Sequence, residues 1–185
     1  MDFNLTAQEK ETLLITARNR IRDDLGLEKT TVPEPSEKLS NKYGAFVTLH
    51  KKKALRGCIG HMQGVEPLID TISDMAHAAA FQDPRFPPLR RDEEKDVHIE
   101  ITVLSPLQEI SDIDEIQVGT HGLYIQKGPR TGVLLPQVAV EQDWDRTTFL
   151  MHTCYKAGLS PEEWKQPDTK IFIFSGLIFS EQETE

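Results

Sequence analysis

The sequence predicts an α+β fold with a largely antiparallel sheet and flanking helices, on three observations. Val97, Ile99, Ile101 and Val103 alternate with His98, Glu100 and Thr102, the period of a strand with one buried face. Two pairs of apolar runs, 45–50 with 55–60 and 122–125 with 132–135, are joined by short polar turns, as in antiparallel hairpins. Amphipathic helical stretches stand among these hairpins, and that mixture is the mark of the α+β class.

Taken in order, Thr6-Ala7-Gln8-Glu9 has capping-box spacing. Leu13, Leu14, Ala17, Ile21 and Leu25 follow at helical spacing, with Gly26 placed as a C-terminal stop. Residues 28–42, polar and holding Pro33 and Pro35, read as an extended surface loop. The first hairpin turns at Lys51, Lys52 and Lys53, a solvated tip rather than a phosphate patch. A helix is expected from the loop His61–Gly64 onward, with Val65, Leu68, Ile69, Ile72, Met75, Ala76 and Ala79 on one stripe and Pro67 in its first turn. Pro84 ends it near Gln82, and Asp83–Pro88 is a rigid irregular segment. The strand 97–104 stops at Ser105-Pro106. The second hairpin turns around Lys127–Thr131, where the glycines serve the turn. Helix follows from about Val138, broken near Trp144 and closed by Gly158. Ser160-Pro161-Glu162-Glu163 reads as a second capping box opening a helix. Residues 171–179 form an almost wholly apolar run, expected to be a central strand covered on both faces.

The chain has 185 residues, a size suited to one domain with a proper core. A net charge of −9 opposes general binding to nucleic acid or anionic membrane, and no apolar run approaches the roughly 20 residues that span a bilayer. Met1-Asp2-Phe3-Asn4 lacks the basic-then-apolar pattern of a secretory signal, so a cytoplasmic location is expected, with Cys58 and Cys154 as free thiols.

Several strings in fixed order resemble one family: Leu55-Arg56-Gly57-Cys58-Ile59-Gly60, Asp83-Pro84-Arg85-Phe86-Pro87-Pro88, Ile99-Glu100-Ile101 with Leu104-Ser105-Pro106, and Leu134-Leu135-Pro136-Gln137-Val138-Ala139. Glu141, Trp144, Cys154-Tyr155-Lys156-Ala157-Gly158-Leu159 and Trp164 continue it. The chain thus resembles the AMMECR-type domain family, whose microbial members are called AmmeMemoRadiSam system protein A. The match covers about residues 5–181, and the whole chain, 1–185, is expected to be a single domain of this type. The resemblance implies an α+β fold of two unequal lobes around a cleft. It also implies association with radical SAM and Memo-like proteins, and it names no reaction or cofactor.

Candidate chemistry centres on 55–61. Strict alternation puts Leu55, Gly57 and Ile59 on one strand face and Arg56, Cys58 and Gly60 on the other. A guanidinium beside a thiol favours the thiolate, which makes Cys58 a candidate nucleophile. Glu100, on the polar face of another strand, is the candidate base or the counter-charge of Arg56. The alternative is a small buried cysteine beside a structural ion pair. Arg56, Gly57 and Gly60 are candidate substrate-binding residues, joined by Asp83, Arg85 and His121. Gly60 and Gly64 bracket a loop entering a helix N-terminus, which suits a small anionic ligand. The six histidines show no ligand pair at zinc spacing, so no metal site is assigned. Two functions follow: a modification-system component that binds or converts a substrate at Arg56, Cys58 and Glu100, or a non-catalytic adaptor that docks a partner through residues 85–91.

Overall fold

A computed structural model describes residues 3–181. It is an α+β protein in which every paired strand runs antiparallel. The chain divides into two compact units, Met1–Leu104 with Leu177–Glu185, and Ser105–Gly176.

In the first unit, helix α1 (Ala7–Asp24) opens with the expected capping box. Thr6 Oγ1 accepts from Glu9 N at 3.2 Å and the Glu9 carboxylate accepts from Thr6 N at 2.8 Å. Gly26 follows its end with φ +65°, the left-handed conformation that glycine adopts freely. The loop 28–42 is not wholly extended: a 3₁₀ turn at Glu37–Ser40 drives Leu39 to full burial. Strands β1 (Ala45–Lys51), β2 (Ala54–His61) and β3 (Val97–Leu104) form a sheet in the order β2-β1-β3, with β2 at the edge. Helix α2 spans Leu68–Phe81. Leu13, Ala17 and Ile21 of α1, Leu68, Ile72 and Ala76 of α2, and Val47, Leu49, Ile99 and Ile101 of the sheet are fully buried in one core. Each such valine, leucine or isoleucine side chain contributes on the order of 1.5–3 kcal/mol.

Helix α2 begins three residues later than the stripe predicts, because Pro67 holds extended geometry at its N-cap (ψ 141°). Val65 is therefore outside the helix and 70% exposed. At the start of α2, Leu68 N donates to Asn41 O at 2.9 Å, and Asp70 N and Thr71 N donate to Pro67 O.

In the second unit, β4 (Gln108–Ile110), β5 (His121–Lys127), β6 (Arg130–Leu134) and residues 170–176 of β7 (Lys170–Ser180) pair in the order β4-β7-β5-β6. The rest of β7 belongs to the first unit and lies next to β3. Burial along β7 covers Ile171, Ile173 and Phe174 but leaves Ile178 54% exposed, so the strand is not covered on both faces throughout. Helices α3 (Pro136–Glu141) and α4 (Arg146–Lys156) flank the expected break, where Asp143 takes φ +53°. The predicted helix after Ser160 is only a 3₁₀ turn, Glu163–Lys165. Pro167 keeps Gln166 extended and stops propagation.

Helix α2 lies directly on the edge strand. A Cβ at Gly57 would stand 2.1 Å from the carbonyl oxygen of Ala79. Backbone cannot yield there as a side-chain end would, so Gly57→Ala is expected to destabilise the protein by about 3 kcal/mol or more, the upper range for overpacking. Urea denaturation checks this; an unchanged midpoint would contradict the placement of α2 on β2.

Candidate functional site

The sheet register decides what the 55–61 strand presents. Leu49 pairs with Gly57, but His50 pairs with Leu55, so β2 carries a bulge that leaves Arg56 unpaired. Residues paired across a ladder share a face. Gly57 and Ile59 thus face the core with Leu49 and Val47, while Leu55 joins His50 on the opposite face and is 41% exposed. Strict alternation across Leu55–Gly60 is therefore corrected at Arg56.

The bulge sends the Arg56 guanidinium into the segment after α2, where Arg56 is only 8% exposed. Its Nη2 donates to Pro87 O at 2.9 Å and to Glu93 Oε2 at 3.3 Å, with the Phe86 ring 6.0 Å away. Glu93, not Glu100, is the counter-charge of Arg56. Lys51 Nζ donates to the other Glu93 oxygen at 2.8 Å, and this bond first, then that from Arg56, brings the Glu93 carboxyl down from 4.5 to about 2 against the opposing effect of burial. Arg56 Nη1 is buried without a partner among the described residues.

Cys58 is held at both main-chain groups. Its N–H and C=O point off the open edge of the sheet, where groups left unpaired would be costly or would recruit another strand. Asp83 Oδ2 accepts from Cys58 N at 2.9 Å, and Arg85 Nη2 donates to Cys58 O at 3.1 Å. The two side chains also bind each other, Arg85 Nε to Asp83 Oδ1 at 2.9 Å and Nη2 to Oδ2 at 2.7 Å. This pair occupies the place of a missing strand. The Arg85 hydrogen bonds, with help from Cys58 N–H and against burial, hold the buried Asp83 carboxyl well below the usual carboxylate range.

The Cys58 side chain is half-buried and accepts from Thr48 Oγ1 at 3.2 Å. Thr48 is paired with Cys58 on one side and Glu100 on the other, so the three share one face across β2, β1 and β3. Two strand spacings, roughly 9.5 Å, separate the Cys58 and Glu100 backbones. Beyond them on the same face, His50 pairs with His98, and His50 Nε2 lies 3.9 Å from Glu100 Oε1. Gly60, opposite Phe46, is covered by that ring: a Cβ would meet it at 2.3 Å.

The first unit thus brings together Arg56, Gly57, Cys58, Gly60, Asp83, Arg85 and Glu100 on or beside three adjacent strands. His121 belongs to the second unit, at the start of β5, where its Nδ1 accepts from Gln117 N at 3.2 Å. Cys154 is also there, fully buried, and burial pushes its thiol up from the usual value. His77 on α2 meets Asp24 Oδ2 through Nδ1 at 2.8 Å. Sequence reasoning missed Glu93, Thr48 and His50. Nothing distinguishes Glu93 within the charged run 90–96, whereas Thr48 and His50 follow from the hairpin once the bulge is placed.

These features define an antiparallel α+β protein with a thiol-bearing edge strand pinned by a carboxylate–guanidinium pair. The family model for AMMECR1 matches residues 14–179. Protein MK0488 of Methanopyrus kandleri is 40% identical over 100% of this chain and 94% of its own length. A protein of Sulfolobus acidocaldarius is 44% identical over 91% of this chain and 80% of its own. Among solved structures, the uncharacterized protein PH0010 from Pyrococcus horikoshii is 38% identical, with a TM-score of 0.79 over 97% of this chain and 95% of its own. The chain belongs to the AMMECR1 family.

A carboxylate lowered by folding stabilises the protein above its unfolded pKa, and that stabilisation disappears as pH falls through the folded value. For Glu93 the loss should run from about 4.5 down to about 2. The gap in thermal stability between wild type and Glu93→Gln should therefore be widest above this window and shrink within it. A gap that stays constant across the acid titration would rule out the Lys51–Glu93–Arg56 network.

Proposed function

We propose that the strand face around Cys58 binds a small-molecule ligand or substrate in a modification system that operates in the cytoplasm with radical SAM and Memo-like proteins. The observation that carries this reading is the division of tasks at Cys58. Asp83 and Arg85 fix its main chain, while its side chain stays half-exposed beside the Thr48 hydroxyl. A cysteine serving only as a core filler would be closed off, as Cys154 is. Support also comes from Arg56, whose buried Nη1 has no partner among the described residues, since buried polar groups are rarely left so. The family resemblance supplies the partners.

In this arrangement Cys58 supplies the reactive or ligand-contacting thiol, positioned to within the tolerance of a hydrogen-bonded strand. Thr48, donating to the sulfur, fixes the direction of the thiol on this face. Glu100 acts on the ligand from across Thr48, because its distance from Arg56 and Cys58 suits contact with a bound molecule rather than direct proton exchange with the thiol. Gly57 keeps α2 close beneath this face, Gly60 makes room on the face for the Phe46 ring, and Asp83, Arg85 and Arg56 hold the strand in shape. His121 is a further ligand-binding candidate from the second unit.

Iodoacetamide labelling followed by intact mass tests the proposal. Cys58 should label while Cys154 does not, and a low-molecular-weight extract of the source cells should slow the labelling of Cys58 at least severalfold. Labelling of Cys58 at the rate of an unstructured thiol, with no protection by the extract and with partner capture unchanged in Cys58→Ser, would instead make the protein an adaptor working through residues 85–91.

A further inference from the structure

The turn between β1 and β2 is built from residues that the turn does not favour. Lys51 pairs with Ala54, so only Lys52 and Lys53 form the loop. Both are left-handed, with φ +51° and +64°. A two-residue turn with positive φ at both positions is satisfied by Asn-Gly or Asp-Gly, whereas a lysine at either place carries backbone strain. Strain of this kind is kept where the side chains do something.

The two lysines open onto a groove of about 1120 Å³ within the first unit, whose floor is the polar face of β1 and β3. His50, His98 and Glu100 line that floor, and Lys95 lines the same groove. Arg18 and Arg22 on the wall are already matched: Glu94 accepts from both, and Glu181 accepts from Arg18. Lys52, Lys53 and Lys95 have no carboxylate within ion-pair distance among the described residues, while Lys51 next to them is committed to Glu93. Asp96 and Glu100 are the groove's remaining acids, and His50 stands beside Glu100. Three unmatched ammonium groups thus converge on one concave surface in a chain of net charge −9.

We infer that this groove is a binding site for a phosphate-bearing small molecule, with Lys52, Lys53 and Lys95 as the phosphate ligands and the His50–Glu100 pair contacting its uncharged polar part. Lysine ammonium groups hold phosphate as point charges and need no fixed fork geometry, which suits three flexible side chains lining a groove. The groove shares Glu100 with the Cys58 face, but the inference does not rest on that face: it holds whether or not the thiol reacts.

The alternative is that the lysines merely keep a hairpin tip solvated and unpaired. The double variant Lys52→Asn/Lys53→Gly separates the two, because it supplies the residues that the turn prefers while removing both amines. Thermal melting in inorganic pyrophosphate, against sodium chloride of equal ionic strength, is the readout. The wild type should gain about 2–4 °C in pyrophosphate. The double variant should melt higher than wild type without ligand and show no gain. Lys95→Ala, at an exposed position, should keep the wild-type melting point and lose part of the gain. No gain for wild type, or an equal gain for the double variant, would overturn the site. A double variant less stable than wild type would overturn the claim that the lysines are strained.

Discussion

Asp83 accepting from the amide of Cys58 is the contact on which the candidate site depends. The edge of a sheet is where a strand is least constrained, and β2 is such an edge. Without a partner, Cys58 would carry a free N–H and C=O, and the strand could slip, fray or pair with another chain. The Asp83–Arg85 pair removes that freedom with two side chains instead of a further strand. It therefore leaves open the face that a covering element would hide. The other side of the same strand is fixed by close approach, where only a glycine at 57 lets α2 reach the backbone. Between a helix on one face and an ion pair along the edge, the thiol has one direction left to point.

The bulge at Arg56 links this edge to the rest of the unit. By adding one residue to β2, it moves the guanidinium out of the alternating pattern and into the segment 87–93, where Glu93 receives both Arg56 and Lys51. The same hairpin therefore does two jobs through neighbouring lysines. Lys51 is tied to Glu93 and steadies the bulge, whereas Lys52 and Lys53 are held in the left-handed region and stay unmatched beside the groove. A run of three lysines looks uniform in sequence and is divided in structure.

That contrast shows what was legible beforehand. The capping box at Thr6, the hairpins, the strand 97–104 and the break near Trp144 depend on local chemistry and could be read from it. Ordered strings such as 55–60 and 83–88 carried the family, and both proved to lie against each other at Cys58. What could not be read was register. A single inserted residue reverses which side chains share a face, so Leu55 was placed on the wrong side and Glu100 was given to Arg56 in place of Glu93. Local signals also fail where a proline outweighs a cap: the capping pattern at Ser160 is present, yet Pro167 leaves no room for a helix. Similarly, Pro67 delays α2 and strands Val65 in solvent.

Hydrogen exchange at the Cys58 amide tests the central claim most directly. An amide on an open strand edge exchanges freely, whereas one donating to a buried carboxylate is protected. The structure predicts that Cys58 exchanges as slowly as the ladder amides of β1, and that Asp83→Ala speeds exchange at Cys58 far more than at Val47 or Leu49. Fast exchange at Cys58 in the wild-type protein, or equal acceleration across β1 and β2 in the variant, would contradict it.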